Sequence, residues 1–190
     1  MTALELREKL LDGNKRYVEG SLQGPHQNTK KRQELLNNQA PHTIVLSCAD
    51  SRVIPEFIFD VGLGEMYVVR VEGNVANIDS LASIEYALTH FHSKLIVVLG
   101  HQSCCAVSAA FVGGDNGYNL NHLLSHIIPA ISNSPDGATV NDVAKRNAIL
   151  TVKDLIDRSP VIKKARQNGE VELAPAFYNL DSGLVEFLDD

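Results

Sequence analysis

The sequence predicts an α/β fold: a mostly parallel central β-sheet with flanking helices, an added antiparallel strand at the C-terminal end, and N-terminal helices set to wrap a partner subunit. Three observations predict it. Apolar runs rich in β-branched residues alternate with helical patterns between residues 43 and 112. The run Leu95–Leu99 is apolar throughout, as a parallel strand covered on both faces should be. Near the C-terminus, Val171–Tyr178 and Leu184–Leu188 flank the turn sequence Asn179-Leu180-Asp181-Ser182-Gly183 and read as a hairpin.

In chain order, residues 3–19 read as an amphipathic helix with Leu4, Leu11 and Val18 among its apolar positions, and Thr29–Asn38 as a second, polar helix. Residues 1–38 precede the alternating region and form a helical arm. Such an arm either embraces a partner or packs on its own domain. Thr43–Cys48 and Met66–Val71 are strands. Residues 79–92 form a helix, because Leu81, Ile84, Leu88 and Phe91 recur at three- and four-residue spacing. Cys104–Val112 follows the third strand as a short helix, and 119–131 and 140–158 are further helices, the last with Ile149, Val152 and Ile156 inward. Ser159-Pro160 starts a short helix, with Ser as N-cap and Pro at the first helical position, ending near Gly169.

Composition narrows the function. The 190 residues are expected to form one domain, and 44% hydrophobic and 21% charged residues are ordinary for a globular chain. A net charge of −6 argues against a nucleic-acid partner. The apolar runs are too short to span a bilayer, and the charged start Glu5-Leu6-Arg7-Glu8-Lys9 lacks a signal-peptide core, so the expected location is the cytoplasm. With three cysteines, a disulfide framework is not expected; reduced thiols that bind metal or react are.

Cys48, His101 and Cys104 carry the strongest chemical signal. Cys48-Ala49-Asp50-Ser51-Arg52 follows one predicted strand and His101-Gln102-Ser103-Cys104 follows another. In open α/β sheets ligands bind beyond the carboxyl ends of the strands. Two thiolates and one imidazole there make three zinc ligands and leave a fourth position for water, the pattern of a catalytic site. Asp50 and Arg52 point the same way on an extended segment and can form a bidentate pair, which would keep Asp50 from filling zinc's open position.

Other motifs carry less. His90 and His92 lie about 200° apart on a helix and read as exposed polarity. His122 and His126 share a helix face but have no third ligand nearby in sequence. Lys30-Lys31-Arg32 reads as a solvated face, and no phosphate-binding glycine loop is present.

The chain resembles the β-class carbonic anhydrases over nearly all its length. The family's Cys-x-Asp-x-Arg string matches Cys48, Asp50 and Arg52, and its His-x-x-Cys string matches His101 and Cys104. Val68–Asn74, Ser83–Ala87, Ser159–Ile162 and Phe177–Leu188 also match family segments. The resemblance implies Zn2+ as cofactor, carbon dioxide and bicarbonate as substrates, Asp50 and Arg52 as catalytic residues, and a homodimer or, as expected here, a tetramer. It further implies the plant-like active-site style, in which Gln39, Tyr67 and Tyr86 bind substrate and Gln39 and Tyr86 reach a partner's site. The absence of Trp agrees with that style. Some relatives act instead on carbonyl sulfide or carbon disulfide, and a catalytically weak zinc-binding relative is the other alternative. Departures from the pattern are Cys105 in place of Gly, Val71 and Glu72 between Arg70 and Gly73, Pro175-Ala176, and Asn179. Cys105 is expected to point away from the zinc of Cys104 and to pack as a small buried thiol.

Overall fold

The computed structural model describes residues 1–189. Five strands, β1 (Thr43–Ser47), β2 (Met66–Arg70), β3 (Leu95–His101), β4 (Glu172–Tyr178) and β5 (Val185–Phe187), form one sheet in the order β2-β1-β3-β4-β5. The first four run parallel and β5 is antiparallel to β4, as expected of the C-terminal hairpin. The nine α-helices among the described residues are α1 (Ala3–Val18), α2 (Thr29–Glu34), α3 (Pro55–Ile58), α4 (Ile78–Phe91), α5 (Cys105–Val112), α6 (Tyr118–Ser125), α7 (Ile128–Ser132), α8 (Val140–Arg158) and α9 (Pro160–Gln167). No helix among the described residues is long and apolar enough to cross a membrane.

Alternation along the parallel strands fills two cores. Ile44, Leu46, Ile96 and Val98 face Leu81, Ile84 and Leu88 of α4, Val152 and Leu155 of α8, and Ile162 of α9. Val45, Leu95, Val97 and Leu99 face the opposite way, onto Leu6 and Leu10 of α1 and Ile58 and Phe59 at α3. With both faces covered, these strands need no polar alternation, which is why their sequence reads as continuous hydrophobic runs. The N-cap assignments hold: Ser159 Oγ accepts the Ile162 N–H at 3.0 Å, with Pro160 at the first helical position.

Four differences from the sequence reading have local causes. In α1 the buried positions are Leu6, Leu10, Gly13 and Asn14, whereas Leu4, Leu11 and Val18 are exposed; the helix packs its inner face on its own sheet. The second helix stops at Glu34 rather than Asn38, having no buried residue to hold its later turn. The segment 119–131 splits into α6 and α7 because Pro129 cannot continue a helix through Ser125. The third strand runs on to His101, paired with Tyr178, so this histidine is a sheet residue.

Candidate metal centre

At the carboxyl ends of β1 and β3 the two short strings meet. The strands are direct neighbours, with Ser47 opposite Leu99. Cys48 leaves the end of β1, His101 ends β3, and Cys104 caps the N-terminus of α5. One ligand atom from each of Cys48, His101 and Cys104 lies within 4.8 Å of the others, and all three residues are buried. Among the described residues this is the one such cluster.

The cluster has the polarity of a cation site. His101 Nδ1 stands 2.9 Å from the carbonyl oxygen of Gln102, which makes Nδ1–H the donor and leaves a lone pair on Nε2. That Nε2 is buried and has no hydrogen-bond partner. An orphaned imidazole nitrogen facing two sulfurs is costly unless something electropositive lies between them. The two thiols share a hydrogen bond. That bond from Cys104 favours thiolate at Cys48 against the cost of burial, and the Asp50 and Gly73 N–H groups add to it. Cys104 is pushed well above the usual thiol range by the same bond and by burial. A divalent ion would displace the remaining thiol proton and satisfy all three donors. Two sulfurs and one imidazole nitrogen are the donor set that zinc takes, so the residues fit that ion.

The backbone shapes the pocket around Cys48. The Gly73 N–H donates to Cys48 Sγ at 3.3 Å and the Asp50 N–H at 3.4 Å. Gly73 has φ 69°, and a Cβ there would stand 2.9 Å from Ile127 Cδ1, so only glycine fits. Asn147 of α8 is buried and its Nδ2 donates to the Gly73 carbonyl at 2.9 Å, tying α8 to this turn. Ser103 takes a left-handed φ of 54°, held by its N–H donating to Asn141 Oδ1 at 2.9 Å.

Asp50 and Arg52 pair as their spacing predicts. Arg52 Nε donates to Oδ1 at 3.0 Å, Nη2 to Oδ2 at 2.6 Å, and the Arg52 N–H to Oδ1 at 2.9 Å. These bonds overcome partial burial and hold the Asp50 carboxyl down at about 2. Asp50 is therefore an ionised acceptor at neutral pH, and it stands outside the cluster of possible ligands. A fourth position beside Cys48, His101 and Cys104 is thus left to a non-protein ligand.

The architecture and the paired strings together bear on family. The family model described as carbonic anhydrase matches residues 43–185. The chain belongs to the β-class carbonic anhydrases. It is 38% identical over 180 residues to carbonic anhydrase 2 of Mycobacterium tuberculosis, a match covering 92% of this chain and 87% of that protein. It is 37% identical over 183 residues to a carbonic anhydrase of Mycolicibacterium smegmatis, covering 93% and 89% of the two chains. A β-carbonic anhydrase of Coccomyxa superposes with a TM-score of 0.77 at 25% identity, covering 94% of this chain and 84% of that one. A tetrameric β-carbonic anhydrase of Sordaria macrospora has the same fold, with a TM-score of 0.78 at 24% identity and 98% of each chain covered.

Within one chain of this β-class enzyme, the three residues expected to bind substrate gather elsewhere. Gln39 and the exposed Tyr86 line a cavity of about 680 Å³ with Leu36, Leu63 and Phe91. Half-buried Tyr67 packs against Phe91 with the rings tilted and their centroids 5.9 Å apart, and Phe91 lies 6.0 Å from Tyr86. None of Cys48, Asp50, His101 or Cys104 lines that cavity.

Cys105 departs from expectation in one respect. It stays outside the cluster, but it is exposed rather than buried, because it opens α5 at the surface. His90 is exposed and stacks on Tyr86 at 4.0 Å, while His92 ends α4; neither meets a metal-ligand group. His122 and His126 touch edge-on at 5.6 Å and likewise lack a third ligand among the described residues.

Two polar residues at the site received no role from the sequence. Arg70 reaches across from β2 to the Cys48 and Asp50 carbonyls. Glu72 is half-buried, and burial followed by the negative charge of Cys48 raises its carboxyl pKa. A side chain's reach between strands has no spacing signature, so only the placement of β2 beside β1 could reveal them.

Proposed function

We propose that the chain catalyses the zinc-dependent, reversible hydration of carbon dioxide to bicarbonate and a proton. The observation that carries this reading is the buried Cys48–His101–Cys104 cluster, with an unpartnered Nε2, beside an Asp50 that Arg52 holds out of the ligand set. Similarity to carbonic anhydrase 2 of Mycobacterium tuberculosis over 92% of the chain supports the substrate.

Cys48, His101 and Cys104 would hold the ion through two sulfurs and one imidazole nitrogen. Zinc there supplies a Lewis acid that makes water a usable nucleophile near neutral pH. Asp50 accepts a hydrogen bond from that nucleophile and turns its lone pair toward the substrate carbon. Arg52 keeps Asp50 ionised and fixed, so the carboxylate acts as an acceptor only. His101 is held in one tautomer by its Nδ1–H bond to the Gln102 carbonyl.

Gln39, Tyr67 and Tyr86 serve substrate binding, and in an assembled oligomer Gln39 and Tyr86 reach the metal centre of a second copy. The assembly is a dimer at least, and a tetramer is the expected form, as in the Sordaria macrospora relative. The test is stopped-flow carbon dioxide hydration by zinc-loaded protein, with light scattering on the same sample. Rapid hydration is expected. Protein carrying one zinc per chain but showing no hydration, while hydrolysing carbonyl sulfide, would replace this substrate with the other.

A further inference from the structure

We propose that Arg70 is a positioning residue that fixes the backbone between the metal ligand Cys48 and the acceptor Asp50; this rests on the roles given to those two residues above. Arg70 is the last residue of β2 and stands opposite Ser47, the last residue of β1. The Val71 N–H still donates to the Ser47 carbonyl at 3.0 Å. Beyond that bond the chain from Cys48 to Asp50 belongs to no strand. Arg70 continues the connection with its side chain: Nε donates to the Cys48 carbonyl at 3.0 Å and Nη2 to the Asp50 carbonyl at 2.7 Å.

The geometry suits a guanidinium and no other side chain. Its donors lie in one rigid plane, so two carbonyls two residues apart are set by a single group. A lysine carries its donors on one nitrogen and cannot reproduce that spacing. Asp50 is then held twice: Arg52 grips its carboxylate and Arg70 grips its main chain. Once the Cys48 and Asp50 carbonyls are released, the backbone of Asp50 can shift, which carries the carboxylate away from a nucleophile at the metal centre and loosens its hold on the Arg52 N–H. Arg70 is itself exposed, so water can solvate the carbonyls it leaves. Its loss should therefore disturb geometry more than folding.

The experiment compares wild type, Arg70→Ala and Arg70→Lys as zinc-loaded full-length protein. Zinc content, thermal melting, kcat for carbon dioxide hydration, and NMR hydrogen exchange of the Arg52 backbone amide are measured. That amide donates to Asp50 Oδ1 and reports the local geometry without reference to turnover. Arg70→Ala is expected to keep one zinc per chain and its melting temperature, to exchange the Arg52 amide faster, and to lose kcat by roughly 10- to 100-fold. Arg70→Lys should recover only part of the kcat. Unchanged kcat and unchanged Arg52 exchange in Arg70→Ala would overturn the proposal, as would full recovery by lysine or loss of zinc from the alanine variant. Wild-type protein that fails to hydrate carbon dioxide would sink the proposed function instead, and the Arg52 exchange rate would still decide the role of Arg70.

Discussion

Arg52 grips Asp50 through both edges of its guanidinium, with Nε 3.0 Å from Oδ1 and Nη2 2.6 Å from Oδ2. The carboxylate is mostly buried while the guanidinium is half exposed, with side-chain exposures of 8% and 51%. Such a pair adds little to stability at so open a position. Its effect is on where Asp50 points. Arg52→Ala is expected to keep the fold and the metal but to lower kcat for carbon dioxide hydration by roughly 100-fold, the scale of losing a partner that orients a group at a metal site. A freed Asp50 can also turn toward the cluster and compete with water. Wild-type turnover with full zinc in this variant would show the pair to be a surface ornament.

Cys104 supplies one of three donors and lies buried in the cluster. Cys104→Ser replaces a thiolate with a hydroxyl that does not ionise in this range, leaving one sulfur and one nitrogen. Bound zinc measured by elemental analysis should fall from one per chain to a small fraction, and hydration should fall with it. Retention of full zinc would remove Cys104 from the ligand set.

Cys105 is the one exposed thiol of the three. Zinc-loaded protein should react with a single equivalent of a thiol reagent, and chelation followed by mild unfolding should release two more. Cys105→Ser should abolish the fast equivalent while preserving zinc and carbon dioxide hydration. Labelling of two thiols in the native, zinc-loaded state would contradict the burial of Cys48 and Cys104.

Asp60, outside the ligand cluster, contributes to acid sensitivity. Burial opposes its ionisation, but Arg16 Nε at 2.6 Å and the N–H groups of Gln23 and Gly24 at 3.1 and 3.0 Å outweigh it, and the net effect lowers its pKa below 3.8. A carboxyl lowered on folding stabilises the protein above its unfolded pKa, and that contribution is lost as pH falls through the lower folded value. Asp60→Asn should therefore cost about 2 kcal/mol in urea melts at pH 7, the scale of losing charge-assisted hydrogen bonds to a buried carboxylate. The difference from wild type should shrink below about pH 4. A penalty that stays constant down to pH 3 would assign the loss to packing rather than charge.

The sequence by itself determined the alternation of strands and helices, the soft ligand set and the Asp50–Arg52 spacing. Each is a local property: side-chain period, residue type, or neighbours two apart on extended backbone. Cys48 and His101 were legible as candidates because strand ends have recognisable flanks. Only the tertiary structure decided that β1 and β3 are neighbours, which brings Cys48 to His101 and Cys104 across about fifty residues of chain. It also decided which face of α1 is buried, since Leu4 and Leu6 are equally apolar and only packing against the sheet separates them. The break at Ile127 was written in Pro129, but its effect depends on a preceding turn that the apolar pattern disguises. Arg70 lay beyond local reading altogether. Its contacts are to backbone carbonyls on another strand, and main-chain acceptors are the same at every residue, so no pattern of side chains announces them.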